Sequence, residues 1–198
     1  ESYERPASYL AEYLDALLPL LSGEAAMHDG ERLKAITMGP LSIESTRPDV
    51  LVAALGDRML NLAGRLTEGT VTWMTGISTV RDHVAPKITA AADEAGRSAP
   101  RIAVALPICL TDNPSRAAAL IDEELAIYPT LPSYAAMLEK EGAASASGIG
   151  LIGSEELIRD GLGRLEEAGG TELLGGVGGT PEEQDASFEL LSRLARGA

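Results

Sequence analysis

The sequence predicts an α/β fold built on a parallel sheet, and three observations carry that prediction. From Asp49 onward, short continuous apolar runs alternate with stretches of helical periodicity. The first of these runs, Val50 to Ala54, is apolar throughout, as expected of a strand covered on both faces. Strand and helix in strict alternation imply right-handed crossovers, which place successive strands parallel. Aromatic residues make up only 4% of the 198 residues while Ala and Gly are abundant, so the core is aliphatic.

Taken in order, Pro6 to Leu21 carries Leu10, Tyr13, Leu14, Leu17, Leu18 and Leu21 at amphipathic helical spacing, with Pro6 near the start and Gly23 at the stop. Pro19 is expected to distort the last turn. Residues 24–48 read as a long Gly/Pro-punctuated loop with one short strand around Leu33 to Thr37. Val50 to Ala54 is the first buried-type strand, Asp57 to Leu66 a helix and Thr70 to Met74 the second strand. Thr79 to Ala95 reads as a helix broken or kinked by Pro86, and Arg101 to Leu110 as the third strand. Helices over Ser115 to Tyr128 and Ser133 to Glu141 follow, separated by Pro129 and Pro132. A glycine-rich passage, Gly148 to Gly153, leads to a helix over Glu155 to Ala168. Thr171 to Val177 is the fourth strand and Pro181 to Leu194 the closing helix.

These four β/α units are half of the eight in a parallel (β/α) barrel of TIM-barrel type, which typically takes about 250 residues. Strand edges of this buried type invite pairing. The chain is therefore expected as a single domain that needs either a further half or another subunit, a homodimer being the simplest assembly. Glu1 in place of Met suggests a sequence that begins internally.

Composition excludes several function classes. Thirty acidic against 16 basic residues give a formal net charge of −14, which disfavours nucleic acid, whose binding rests on Lys and Arg neutralising phosphates. No apolar run is long enough for a bilayer, and the amino terminus lacks the order of a secretory signal. Cys109 is the lone cysteine, which leaves no intrachain disulfide or cysteine-rich metal cluster; a cytoplasmic protein is expected. Cys109 itself reads as a small core residue.

The stretch from Val50 through Gly56, Asp57 and Arg58 to Thr70 closely resembles a segment of the bacterial luciferase-like superfamily, where it forms the fifth barrel strand, its loop and helix, and the start of the sixth strand. Thr72-Trp73-Met74-Thr75-Gly76 continues the likeness, Pro6 to Gly23 looks like the preceding helix, and Gly148 to Gly153 with Ser154-Glu155-Glu156 is similar to a family loop. The resemblance covers nearly the whole chain and implies the last four β/α units of the barrel. The Ala53-Ala54-Leu55-Gly56 loop and the Tyr128 to Tyr134 element look most like subfamilies that use the deazaflavin coenzyme F420, with FMN as the alternative. The implied activity is hydride transfer between the reduced cofactor and a small organic substrate. The residues implied at the cofactor are Ala54, Leu55, Gly56, Asp57, Arg58, Trp73, Thr75 and Gly76.

Physical chemistry gives Gly56 its reason: a glycine after a buried strand lets backbone come close to a ligand, and the next helix presents free amides to an anion. Most relatives have Pro where this chain has Asp57, which is expected to cap that helix and compete for those amides, with Arg58 offsetting its charge. Trp73 is either a core or lid aromatic or a wall of the pocket. Glu68 is read as a turn residue. Gly175 to Gly179 holds the position of a barrel phosphate loop and is read first as a flexible connector. His28 and His83 lack partners at ligand spacing and read as surface residues. The pairs Glu123-Glu124, Glu155-Glu156, Glu166-Glu167 and Glu182-Glu183 read as solvated helix faces. No catalytic residue is assigned, because the resemblance places most polar groups near the ring on earlier strands. Two further readings stand beside the oxidoreductase: a non-catalytic half barrel that assembles with itself, and a fragment without independent function.

Overall fold

The computed structural model describes residues 5–40 and 46–197. Residues 1–4, where the sequence start was read, and residues 41–45 of the long loop lie outside the described residues.

Helix α1 (Pro6–Leu21) leads into a two-stranded antiparallel hairpin, β1 (Met27–Asp29) and β2 (Lys34–Ile36). The strand expected at Leu33–Thr37 is β2, and its partner β1 is too short and too polar to show in the apolar pattern. The parallel sheet follows. It comprises β3 (Leu51–Ala53), β4 (Gly69–Trp73), β5 (Arg101–Leu110) and β7 (Glu172–Val177), joined by α2 (Asp57–Leu66), α3 (Ile77–Thr79) and α4 (Ala85–Glu94), then α5 (Pro114–Glu124), α6 (Pro132–Glu141) and α7 (Glu155–Glu167), and closed by α8 (Pro181–Ala195). All pairings within this sheet are parallel.

A fifth strand, β6 (Leu151–Gly153), corrects the count of four. It lies inside the passage read as a glycine-rich loop, where Gly150 before it and Gly153 at its end leave only two apolar residues to signal a strand. Ile108 pairs with both Leu151 and Val177, and Ala103 with both Val71 and Glu172. Strand β7 thus lies on one side of β5, with β4 on the other. Strand β6 extends the β4 side beyond its end. The sheet is β3-β4-β5-β7 with β6 added at the carboxyl end, and β3 and β7 are its outer edges.

Alternation along β5 divides its side chains. Ile102, Val104, Leu106 and Ile108 join Val52, Leu60, Val84, Ile88, Ile158, Leu165 and Leu190 in the main core between sheet and helices. Each such side chain fully buried contributes about 1.5–3 kcal/mol. A second cluster of Met74, Cys109, Ile121, Leu138 and Ile149, backed by Trp73, Tyr128 and Tyr134, sits at the carboxyl ends under α5 and α6. Cys109 is the small core residue expected.

Pro86 acts as expected but through a specific device. The helix starts at Ile77, two residues early, and residues Val80–Val84 form a π-helical turn before α4 resumes. Proline has no N–H and its ring crowds the carbonyl four residues back, which a wider turn relieves. Helix α5 ends at Glu124, short of the expected Tyr128, and a 3-10 turn over Tyr128–Thr130 carries the chain to α6. Glu68 is more than a turn residue: it accepts from the Val50 N–H at 2.8 Å, Arg47 at 3.1 Å and Arg97 at 3.0 Å. It locks the start of β3 to the start of β4.

Candidate functional site at the carboxyl ends of the strands

Because the sheet is parallel, the turns after β3, β4, β5 and β7 share one edge of it. The residues expected at the cofactor fall there in two groups. Ala54, Leu55, Gly56, Asp57 and Arg58 follow β3, while Trp73, Thr75 and Gly76 end and follow β4. The neighbouring strands bring the groups side by side, with different degrees of exposure.

Gly56 is exposed and is the N-cap of α2, in ordinary extended backbone with φ −82°. A Cβ built there would meet nothing within 4 Å. Neither backbone strain nor internal packing requires a glycine at this point, so the open space faces outward from the turn. Asp57 does not cap the helix. No side-chain cap bond forms; its carboxylate instead meets the Lys87 ammonium at 2.6 Å. That hydrogen bond, with the charges of Lys87, His83 and Lys140, holds the Asp57 carboxyl below its usual range. The offsetting cation is therefore Lys87 on α4, and Arg58 is exposed beside it. The amides of the first turn are left free of Asp57. Ala54 is buried on the helix side, its carbonyl 3.3 Å from the Thr70 hydroxyl.

Trp73 faces away from the main core. Its strand partner is Ala105, and its ring reaches across β5 to β7, where a Cβ on Gly176 would sit 3.0 Å from it. Small side chains beneath make the crossing possible. The ring stands edge-on to Tyr128, with centroids 5.7 Å apart, and Tyr128 stands edge-on to Tyr134 at 5.0 Å. Its indole Nε1 is buried with no hydrogen-bond partner among the described residues, a costly omission for a donor. Met74, the next residue, is fully buried at φ 56°, a left-handed conformation that costs a non-glycine side chain about 1–3 kcal/mol. Such strain clusters at functional sites.

Thr75 and Gly76 are buried. The Thr75 hydroxyl donates to the Trp73 carbonyl at 3.2 Å. Over Gly76 lies the carboxylate of Glu141, which accepts from the Ser78 N–H at 3.0 Å, the Thr79 N–H at 2.6 Å and the Thr79 hydroxyl at 2.7 Å. The helix start after β4 is thus filled by the protein's own anion, and Thr75 and Gly76 back the site without reaching its surface.

Four readings of other residues change. His83 is buried, 7% exposed, and its Nε2 lies 2.8 Å from the Leu55 carbonyl oxygen. His28 is also largely covered, 3.6 Å from Glu12. Gly175 and Gly176 belong to β7 itself, and Gly179, at φ +95°, packs between Cys109 and Glu183. A flexible connector does not describe them. Glu183 is largely covered, whereas Glu155 stays partly exposed on its helix face. Glu155 pairs with Arg159 and Arg193, while Glu183 accepts from Thr111, Arg116 and the Thr180 N–H as half of a capping box on α8. Among the described residues no group of three or more His, Cys, Asp or Glu is placed to hold a metal ion, and no helix is long and apolar enough to cross a membrane.

Fold and placement together define a β/α-barrel-type protein whose glycine turns and aromatic cluster gather at the carboxyl ends of its strands, where such folds keep their sites. Its family is more specific. The chain belongs to the luciferase-like monooxygenase family, whose model matches residues 1–184. Solved structures agree on the fold. The coenzyme F420 dependent tetrahydromethanopterin reductase from Methanopyrus kandleri superposes with a TM-score of 0.75 at 20% identity, covering 94% of this chain and 61% of its own. An F420-dependent secondary alcohol dehydrogenase in complex with an F420-acetone adduct gives 0.68 at 18% identity, covering 89% and 58%. The oxygenating constituent of 3,6-diketocamphane monooxygenase from the CAM plasmid of Pseudomonas putida, in complex with FMN, gives 0.67 at 21% identity, covering 93% and 61%. This chain therefore spans about three-fifths of their length. No curated protein matches the sequence significantly.

Proposed function

We propose that the chain forms the cofactor-side wall of a flavin- or deazaflavin-dependent oxidoreductase that passes a hydride between reduced coenzyme F420 and a small organic substrate, with FMN as the alternative cofactor. The observation that carries this reading is the turn at Gly56, a glycine with open space on its Cβ side at the carboxyl end of β3, in a chain of this family. F420 is placed first because two of the fold relatives named above bind it, and FMN second because a third does.

The residues present fit such a group. Leu55, Gly56, Asp57 and Arg58 would hold it through backbone and one exposed guanidinium. Trp73 would wall it with a flat ring whose unpaired N–H is a ready donor. Ala54, Thr75 and Gly76 set these elements from behind. A bound deazaflavin or flavin would supply the hydride chemistry, and the protein's part is orientation and exclusion of water. Titration of the chain with F420 and with FMN, followed by fluorescence, tests the proposal. Saturable binding of one is expected; affinity for neither overturns it. A cytoplasmic location belongs to the same reading.

The open edges favour a second reading, self-assembly through the sheet. The outer sides of β3 and β7 pair with no strand among the described residues, and Leu174 on β7 is exposed. Parallel edges of this kind recruit further strands. Light scattering is expected to give a dimer or larger species at micromolar concentration, and a compact monomer would exclude it.

A further inference from the structure

We propose that His83 is a positioning residue: it pins the Leu55 carbonyl so that the Gly56 N–H is presented, as a hydrogen-bond donor, to an acceptor atom of a ligand at the carboxyl end of β3. The inference deepens the cofactor reading above and rests on it.

The Leu55 oxygen can only accept, so the imidazole Nε2 at 2.8 Å must be the donor. A trans peptide is planar, with its C=O and N–H pointing in opposite directions. Fixing the carbonyl of residue 55 towards His83 therefore fixes the N–H of residue 56 away from it. Among the described residues no acceptor meets that N–H. The turn is exposed and the Cβ direction of Gly56 is open, so nothing within the described chain competes for the donor. A glycine is the residue least able to hold a peptide plane by its own sterics, which makes an outside anchor for the plane consequential.

The anchor is itself held. His83 lies in the π-helical turn of Val80–Val84, and such turns recur at functional sites. Its Nδ1 faces the Asp57 carboxylate of α2 at 4.0 Å, and that carboxylate is fixed by Lys87 of α4 at 2.6 Å. The charge of Lys140, on α6, also acts on Asp57. His83 is thus the direct link between the two groups of site residues. It belongs to the helix that follows Trp73, Thr75 and Gly76, and it bonds to the turn that contains Gly56.

The test uses the isotopically labelled chain and three substitutions. His83→Phe fills the space without a donor. His83→Gln carries an amide N–H to nearly the same point as Nε2. His83→Asn keeps polarity but falls short of the Leu55 oxygen, and guards against a folding failure of the Phe variant. The Leu55 carbonyl carbon and Gly56 amide resonances are expected to move in His83→Phe and His83→Asn and to return towards wild type in His83→Gln. F420 binding should weaken about tenfold in the first two and recover to within about threefold in the third. Unmoved resonances in the Phe and Asn variants overturn the proposal. So does wild-type affinity in a variant whose resonances have moved. If the wild-type chain binds neither F420 nor FMN, the cofactor reading falls on that ground alone, and the resonances still decide whether His83 sets the peptide.

Discussion

Gly64→Ala should destabilise the chain even though it replaces a helix-weakening residue with the best helix former. Gly64 lies inside α2 against α4, where an added Cβ would sit 2.4 Å from the Ile88 carbonyl oxygen, 2.9 Å from the Ala91 Cβ and 3.1 Å from the Ala92 nitrogen. Non-bonded atoms prefer roughly 3.5 Å, so the helices must part by about 1 Å. Two of the three neighbours are backbone atoms and cannot swing aside. Overpacking of this sort costs about 1–3 kcal/mol, towards the upper end when backbone must shift, against a gain of about 1 kcal/mol in helix propensity. The net expectation is a loss of about 2 kcal/mol. Gly163 is the control, since it lies in α7, is exposed, and its Cβ direction meets nothing within 4 Å. Gly163→Ala meets only the propensity term and should gain about 0.5–1 kcal/mol. Urea denaturation with an unchanged m-value measures both. A Gly64→Ala variant as stable as wild type would refute the close-packing argument. Because α4 also carries Lys87 and continues from the turn that bears His83, parting α2 from α4 should loosen the Leu55–His83 bond too, seen as faster hydrogen exchange at the Gly56 turn.

Three other perturbations have defined outcomes. Glu141→Ala removes three hydrogen bonds to the helix after β4 and leaves partly buried amides unpaired, so a loss of about 3 kcal/mol in urea denaturation is expected, and less for Glu141→Gln. A change below about 0.5 kcal/mol would remove Glu141 from the account. Cys109, its thiol pushed up to about 11 by burial and by Glu183, should resist iodoacetamide at pH 8 until the chain unfolds; rapid labelling of the native protein contradicts this. Its raised value also means that its share of stability is intact below about pH 9 and fades as pH climbs towards 11. Glu183 titrates below the ordinary carboxyl value, chiefly because the Thr111 hydroxyl donates to it, with the Thr180 N–H and Arg116 adding to this against burial. A depressed carboxyl gives stability that is present above its unfolded pKa and lost as pH falls through the folded one. Urea midpoints should therefore drop more steeply from pH 6 to 3 in wild type than in Glu183→Gln, and parallel curves would contradict the assignment.

Much of the scaffold was legible because its signals are local. Short runs rich in apolar residues marked β4, β5 and β7, and Gly/Pro punctuation placed α2, α7 and α8 within a residue or two. The missed strands were those without an apolar run: β1 is too short and polar, and β6 has only two apolar residues between Gly150 and its closing Gly153. In the site, resemblance supplied positions, and chemistry alone could not have ranked them. Gly56 has no internal steric reason, whereas Gly69, at φ +157° with a Cβ 2.0 Å from the Arg101 oxygen, has a complete one. Sequence treats the two alike. Glu68, read as a turn residue, and Glu183, read as part of a solvated face, reach partners 18 to 72 residues away, and no periodicity reports such pairing.

His83 shows where the limit lies. A lone histidine in a helix, without acidic or cysteine neighbours at ligand spacing, carries no chemical signal in one dimension. Pro86 three residues on is the only local hint, because a proline inside a helix forces some departure from α geometry. Here the departure is a π turn, which coincides with the turn that carries residue 83. The contact this allows runs 28 residues back to Leu55. The proline that interrupts the helix and the histidine that reaches the neighbouring turn are then parts of one device. It follows that Pro86→Ala, which lets regular α geometry through Val80–Val84, should disturb the Gly56 turn as His83→Phe does while leaving the imidazole in place. If the Leu55 and Gly56 resonances ignore Pro86→Ala, the π turn is incidental and the His83 contact stands without it.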